Sequence, residues 1–293
     1  MYTLAEKNIR KTWLYLISFF SLIILIGYLA SYFYGDWTFL WLASAFSLFS
    51  SFGSYWFSDK IVLAMTKAKK VEKQDNPELY RLIENLSITA GLPMPGIYTI
   101  DDLSPNAFAT GRNPEHAVIV VTRGLLERLE RVELEGVLAH ELAHIGNRDI
   151  LLGTVIVVLT AVVVRMSDLF FRTRIRGRDR EEKGSPVFMI LGIIFLILAP
   201  IFAQLIRFAI SRKREFLSDA TGALLTRYPE GLARALEKIS QDPRPLSVAS
   251  NATAHLFIVS PFKGKRATSR LVRLFSTHPP IEERIKALRG MEV

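Results

Sequence analysis

Four stretches nearly free of charge constrain this chain more than any other feature, because a helical run of about 20 apolar residues is long enough to cross a bilayer. Thr12 to Gly35 holds 24 residues without a charged side chain. After Asp36, Trp37 to Ser58 holds another 22, with Trp37, Trp41, Tyr55 and Trp56 near its ends, where interfacial aromatic belts form. A third run, Ile150 to Val164, has 15 residues and continues to Phe171 through Arg165 and Asp168; a fourth, Val187 to Ile206, has 20. A cleaved signal peptide would show an apolar core of about 7 to 15 residues and a small-residue cleavage site, so the first run reads as a retained anchor. The chain is therefore expected to be a polytopic, mainly helical membrane protein.

Charge gives the orientation. The loop between the first two runs has no Lys or Arg, whereas Lys60, Lys67, Lys69, Lys70 and Lys73 follow the second. The positive-inside rule then places the N-terminus and the residues after 59 in the cytoplasm. Arg172, Arg174, Arg176, Arg178, Arg180 and Lys183 lie between the third and fourth runs and would be outside if the third crossed. Those two runs either span against the rule or form a hairpin that enters and returns. Both routes leave the segments before 150 and after 210 on one face. Four parts follow: an N-terminal transmembrane hairpin, 1–58; a first cytosolic part, 59–149; a second apolar hairpin, 150–210; and a second cytosolic part, 211–293. The net charge of +9 fits basic flanks that meet anionic lipid, and no nucleic-acid motif accompanies it. With no cysteine, disulfides and thiolate metal sites are excluded, and a reducing compartment fits.

The cytosolic parts carry the chemistry. Asn76-Pro77-Glu78 is a helix start, with Leu79, Leu82, Ile83 and Leu86 at helical spacing up to Gly91. Ile97 to Ile100 and Ala117 to Thr122 read as strands. Ser104 to Gly111 is a short third strand headed by Pro105, as suits an edge. An edge strand can accept an extended peptide, though a plain hairpin fits the same pattern. From Glu130 a helix with Val132, Val137, Leu138 and Leu142 on its apolar side carries His140-Glu141-Leu142-Ala143-His144. Residues four apart share a helix face, so His140 and His144 can offer two imidazole nitrogens to one metal ion while Glu141 stands beside it as a general base. Without thiols, a third ligand must be His, Asp or Glu. Glu215 is the best candidate, since it lies on a helix returning to the same membrane face. Asp219, one turn on, would accept a hydrogen bond from a ligand histidine. A solvated acid paired to neighbouring arginines is the plainer alternative for Glu215.

His140 to His144, Arg214 to Ala220, Pro105 to Gly111 and Thr277-His278-Pro279-Pro280, in this order among four apolar runs, closely resemble the HtpX-type membrane zinc endopeptidases, relatives of the CAAX prenyl proteases. The resemblance covers nearly the whole chain. It implies a zincin-like cytosolic metalloprotease domain, mainly α with a small β-sheet, in a bacterial or archaeal inner-membrane protein with its active site on the cytoplasmic side. One Zn2+ per chain would be held by His140, His144 and Glu215, with Glu141 polarising the attacking water. His278 would hydrogen-bond the tetrahedral intermediate, although an N-cap role fits it equally from sequence. Asn106, Ala107, Phe108 and Ala109 match the strand that holds substrate backbone, and Arg284 would brace the site. Ser218 stands where many relatives have alanine, a small residue for a small one. Misfolded membrane proteins are the implied substrates, the bilayer and the FtsH quality-control system the implied partners.

A proteolytically silent protein with a structural zinc clasp is the chief competing reading. A structural site needs no general base and is normally closed by four protein ligands, so Glu141 beside three ligands favours the enzyme. A transporter is disfavoured because the ionisable cluster lies outside the apolar runs. His116 and His255 are read as structural.

Overall fold

The computed structural model describes residues 2–176, 212–263 and 279–291. Helix α1 (Tyr2–Tyr34) reverses through Gly35 into α2 (Thr38–Trp56), which runs back along it. A Cβ on Gly27 would lie 2.4 Å from the Cβ of Ala43, so only glycine permits this approach. Among the described residues, α1 alone is long and apolar enough to cross a bilayer by itself. The expected second span, α2, is diluted by five serines over its 19 residues. Helix α3 (Ser58–Thr66) follows at a break and leads to strand β1 (Lys69–Lys70).

Then come α4 (Pro77–Ala90), β2 (Gly96–Ile100), β3 (Ala107–Gly111), β4 (Ala117–Thr122), α5 (Arg123–Arg128) and α6 (Arg131–Gly146). The Asn76 side chain caps α4 by accepting from the Leu79 N–H at 3.0 Å, and a Glu130–Glu133 capping box starts α6. Such caps satisfy backbone donors that a helix start leaves unpaired. The four strands are ordered β1-β2-β4-β3, with β2 and β4 parallel and the other pairs antiparallel. The β3–β4 turn needs Gly111, whose φ of +142° and 2.5 Å clearance from the His116 carbonyl oxygen leave no room for a side chain.

Strand β4 reads as an unbroken apolar run because both faces of the sheet are covered. Ile119 and Val121 face α4 and α6, while Val118 and Val120 join Val62, Phe257 and Phe262 on the other side. Each fully buried aliphatic side chain of this kind contributes about 1.5–3 kcal/mol. Val132, expected on the apolar side of α6, is 42% exposed in that helix's first turn.

After α6 the chain turns by 84° into α7 (Asp149–Arg176), a single helix running past the expected end at Phe171. Arg148 takes the left-handed conformation at this corner, φ 55°. The fourth apolar run and the basic residues from Arg178 to Lys183 lie outside the described residues. The rest comprises α8 (Arg212–Thr226), α9 (Pro229–Gln241) and α10 (Ile281–Arg289). Two glycines bring α6 into backbone contact with α8 and α9. A Cβ on Gly222 would sit 2.9 Å from the His140 nitrogen, and one on Gly136 would sit 2.7 Å from the Leu232 nitrogen. The α8 contact sets Glu215 and Asp219 opposite His140 and His144.

Candidate metal centre

Helix α6 places His140 and His144 one turn apart on the face that meets α8. Their Nε2 atoms lie 3.1 Å from each other. Glu215 completes a triangle, with Oε2 4.0 Å from His140 Nε2 and Oε1 3.6 Å from His144 Nε2. One ligand atom from each of the three residues falls within 4.8 Å of the others. Two ligands about 2.0–2.1 Å from one tetrahedral ion stand roughly 3.4 Å apart, so the spacing and the nitrogen-oxygen donor set fit a metal ion.

Neighbouring side chains fix the ligand rings. His140 Nδ1 is 2.9 Å from Asp219 Oδ1. Arg284 grips Asp219 from the far side, Nε to Oδ2 at 2.8 Å and an Nη to Oδ1 at 2.6 Å, and donates to the Ile258 carbonyl at 2.9 Å. Arg284 is fully buried and its guanidinium also lies 3.6 Å from Glu215. His144 Nδ1 has two partners, Asp149 Oδ2 at 3.2 Å and the Ser218 hydroxyl at 3.1 Å. Ser218 therefore contributes a hydrogen-bonding group that the small-for-small comparison with alanine overlooked. Asp149 was also missed, although its place five residues after His144, at the start of α7, was a usable signal.

The electrostatics follow from burial among opposed charges. Burial lowers the His140 pKa to about 4 despite Asp219. Burial likewise opposes charge on His144, but its hydrogen bond to Asp149 and the charges of Glu215, Asp149 and Glu141 prevail and raise it to about 9. Burial raises Glu141 to about 7, against the pull of His144 and a backbone hydrogen bond from Ala109. Asp219 is pushed up by burial, yet Arg284 and then His140 outweigh this and bring it down to about 2. In the metal-free state a proton on His144 can bridge the two Nε2 atoms, where a metal ion would sit. Metal binding must expel it. Affinity is therefore expected to fall about tenfold per pH unit below the His144 pKa of about 9. Calorimetry in buffers of differing ionisation enthalpy should register about one proton released per metal.

The other sequence candidates fall in distinct places. Ala109 lines the cleft over the metal residues with Ile150, Gly153, His255, Leu256 and Ile258. Phe108 is fully buried against Phe257, ring centroids 5.0 Å apart. The Ala107 carbonyl accepts from the Ile258 N–H at 2.9 Å, and the Asn106 amide donates to the Val259 carbonyl at 2.9 Å. The chain's own residues 258–259 thus cover the outer edge of β3 at Asn106 and Ala107. His278 lies outside the described residues. His116 is exposed and packs on its own turn, its ring 2.7 Å from Asn113. His255 is in the cleft wall, 3.4 Å from the Gly153 carbonyl.

Residues 73–292 match the family model described as Peptidase family M48. A protein named Protease HtpX homolog from Thermoanaerobacter pseudethanolicus is 43% identical over 299 aligned residues, covering 99% of this chain and 98% of its own. A protein of the same name from Dictyoglomus thermophilum is 45% identical over 292, covering 99% and 94%. Among solved structures, S. mikatae Ste24p aligns with 98% of this chain and 67% of its own at a TM-score of 0.51 and 21% identity, a likeness of fold.

Proposed function

The chain belongs to peptidase family M48, with HtpX proteins among its relatives, and from that premise we propose that it is a membrane-bound, zinc-dependent endopeptidase that hydrolyses peptide bonds of misfolded or damaged membrane proteins. One observation carries the reading: the buried Glu141 carboxyl stands beside the convergence of His140, His144 and Glu215, in a cleft walled on one side by strand β3. Two imidazoles and one carboxylate suit zinc, which when bound supplies Lewis acidity, acidifying a water and polarising a peptide carbonyl. Glu141 takes the proton of the attacking water and returns it to the leaving amine. In the metal-free protein burial raises its pKa to about 7, and a bound dication beside it would draw that value down and favour the carboxylate form that accepts a proton. Asp219 and Asp149 hold the two ligand rings, and Arg284 keeps Asp219 in place. Ala109 lines the cleft on the edge strand, where its carbonyl would accept from an extended substrate while its N–H serves Glu141.

The exposed surface supports the membrane assignment. Of 21 large apolar side chains exposed among the described residues, 16 lie between Trp13 and Phe57 on α1, α2 and the break after them. An apolar surface so concentrated is suited to lipid. The lysines after residue 59 support a cytoplasmic active site.

The test uses the full-length protein in detergent, stripped of metal and mixed with an unfolded protein. One zinc per chain should start cleavage and a chelator should stop it. Cleavage that survives chelation would overturn the zinc mechanism. A zinc-loaded protein that leaves unfolded chains intact would overturn the peptidase reading.

A further inference from the structure

Of the buried polar residues on α1, Asn8, Thr12 and Ser31, it is Asn8 that reaches the turn beside the metal centre. Asn8 lies on α1, near the cytosolic end of the apolar run, and is only 5% exposed. Its amide donates twice across 139 and 141 residues of sequence, to the Asn147 carbonyl at 3.0 Å and to Asp149 Oδ1 at 2.7 Å. Both acceptors belong to the 84° corner where α6 gives way to α7. The same Asp149 oxygen receives Arg214 at 3.1 Å, and the other oxygen faces His144 Nδ1 at 3.2 Å. A carboxylate that orients a metal-ligating imidazole does so only if its own rotation is fixed, because the ring follows the acceptor. Asn8 fixes it from the anchor side and at the same time caps the end of the helix carrying both histidines.

We propose that Asn8 is a positioning residue of the metal centre, acting through Asp149 on His144, so that the seating of the anchor helix against the α6–α7 corner sets how tightly the metal is held. This rests on His140, His144 and Glu215 being the metal site. Arg214 still holds Asp149 when Asn8 is lost, so the effect is partial, at the lower end of the 10- to 100-fold range for groups behind a ligand.

The experiment compares wild type, Asn8→Leu, Asp149→Ala and the double variant as full-length proteins in detergent, reading zinc affinity by competition with a coloured chelator and the visible bands of the cobalt-loaded form. Asn8→Leu should weaken zinc binding about tenfold and shift the cobalt bands. In the Asp149→Ala background it should change neither, since coupled residues do not add. If Asn8→Leu lowers the thermal midpoint yet keeps wild-type zinc affinity and cobalt bands, Asn8 merely packs the helix and the proposal is overturned. Equal losses in both backgrounds also overturn it. Should Asn8→Leu not be recovered from the membrane, Asn8→Ala, which suits any helix, takes its place with the same outcomes. A His144→Ala control separates the two ideas: undiminished zinc binding there sinks the metal-site reading itself, whereas lost binding there with an unaffected Asn8 variant sinks only the positioning role.

Discussion

Glu141→Gln is expected to abolish measurable peptide hydrolysis while leaving one zinc bound per chain. The substitution keeps the shape of the side chain and the hydrogen bond that its remaining oxygen can accept from Ala109. It removes the only function glutamine cannot perform, taking a proton from water and delivering it to the leaving nitrogen. General acid-base catalysis is worth about 10²- to 10⁴-fold, so kcat should fall by that factor with KM little changed. The zinc content of the purified variant is the control, because the three metal-binding side chains are untouched. A variant that retains more than about a tenth of wild-type kcat would assign the base elsewhere.

Arg284→Met should do the most damage to the fold. Arg284 is buried among three acidic groups, and its bidentate grip on Asp219 is the inner link of a chain running Arg284, Asp219, His140. Removing one partner of a buried ion pair leaves the other charged and unsolvated, which destabilises by about 3–5 kcal/mol. The thermal midpoint of the metal-free protein should drop accordingly. Arg284→Lys should recover little, since a single ammonium cannot reproduce the two parallel hydrogen bonds. The acid response gives a second readout. Asp219 has a folded pKa lowered from 3.8 to about 2, so its stabilising contribution is complete above pH 3.8 and is lost as the pH falls toward 2. Without Arg284 that pKa rises and the acid loss moves to higher pH. A variant with wild-type melting and an unchanged acid limb would show that the buried pair contributes nothing.

Sequence patterns exposed those features whose cause is local. The four-residue spacing of His140 and His144, the Asn76 cap and the uninterrupted β4 run are each set by side chains within one turn or one strand of each other. Glu215 and Asp219 were legible because only a few residue types can complete a thiol-free site, and the chain offers them one turn apart. The strap that closes the edge of β3 at Asn106 joins positions 153 residues apart, and the anchor link from Asn8 to Asp149 joins positions 141 apart. Neither has periodicity or spacing to betray it. The second apolar run was legible from its lack of charge and forms helix α2, in which five serines lower the hydropathy without interrupting the pattern. Arg284 was named as a brace only through the family resemblance; nothing local in the sequence reveals that its helix packs it inward against α8.

The place of Arg284 in the chain has a consequence for biosynthesis. The histidines and Glu215 leave the ribosome well before it, so a nascent chain already holds the whole ligand set while Asp219 still lacks its grip. The centre reaches its final geometry only after translation passes residue 284, when the preceding cytosolic elements are available to pack against α10. A message broken between codons 219 and 284 would yield a fragment that carries His140, His144, Glu215 and Asp219 but lacks the guanidinium that clamps Asp219, so its candidate metal residues would be present without the brace that holds their geometry.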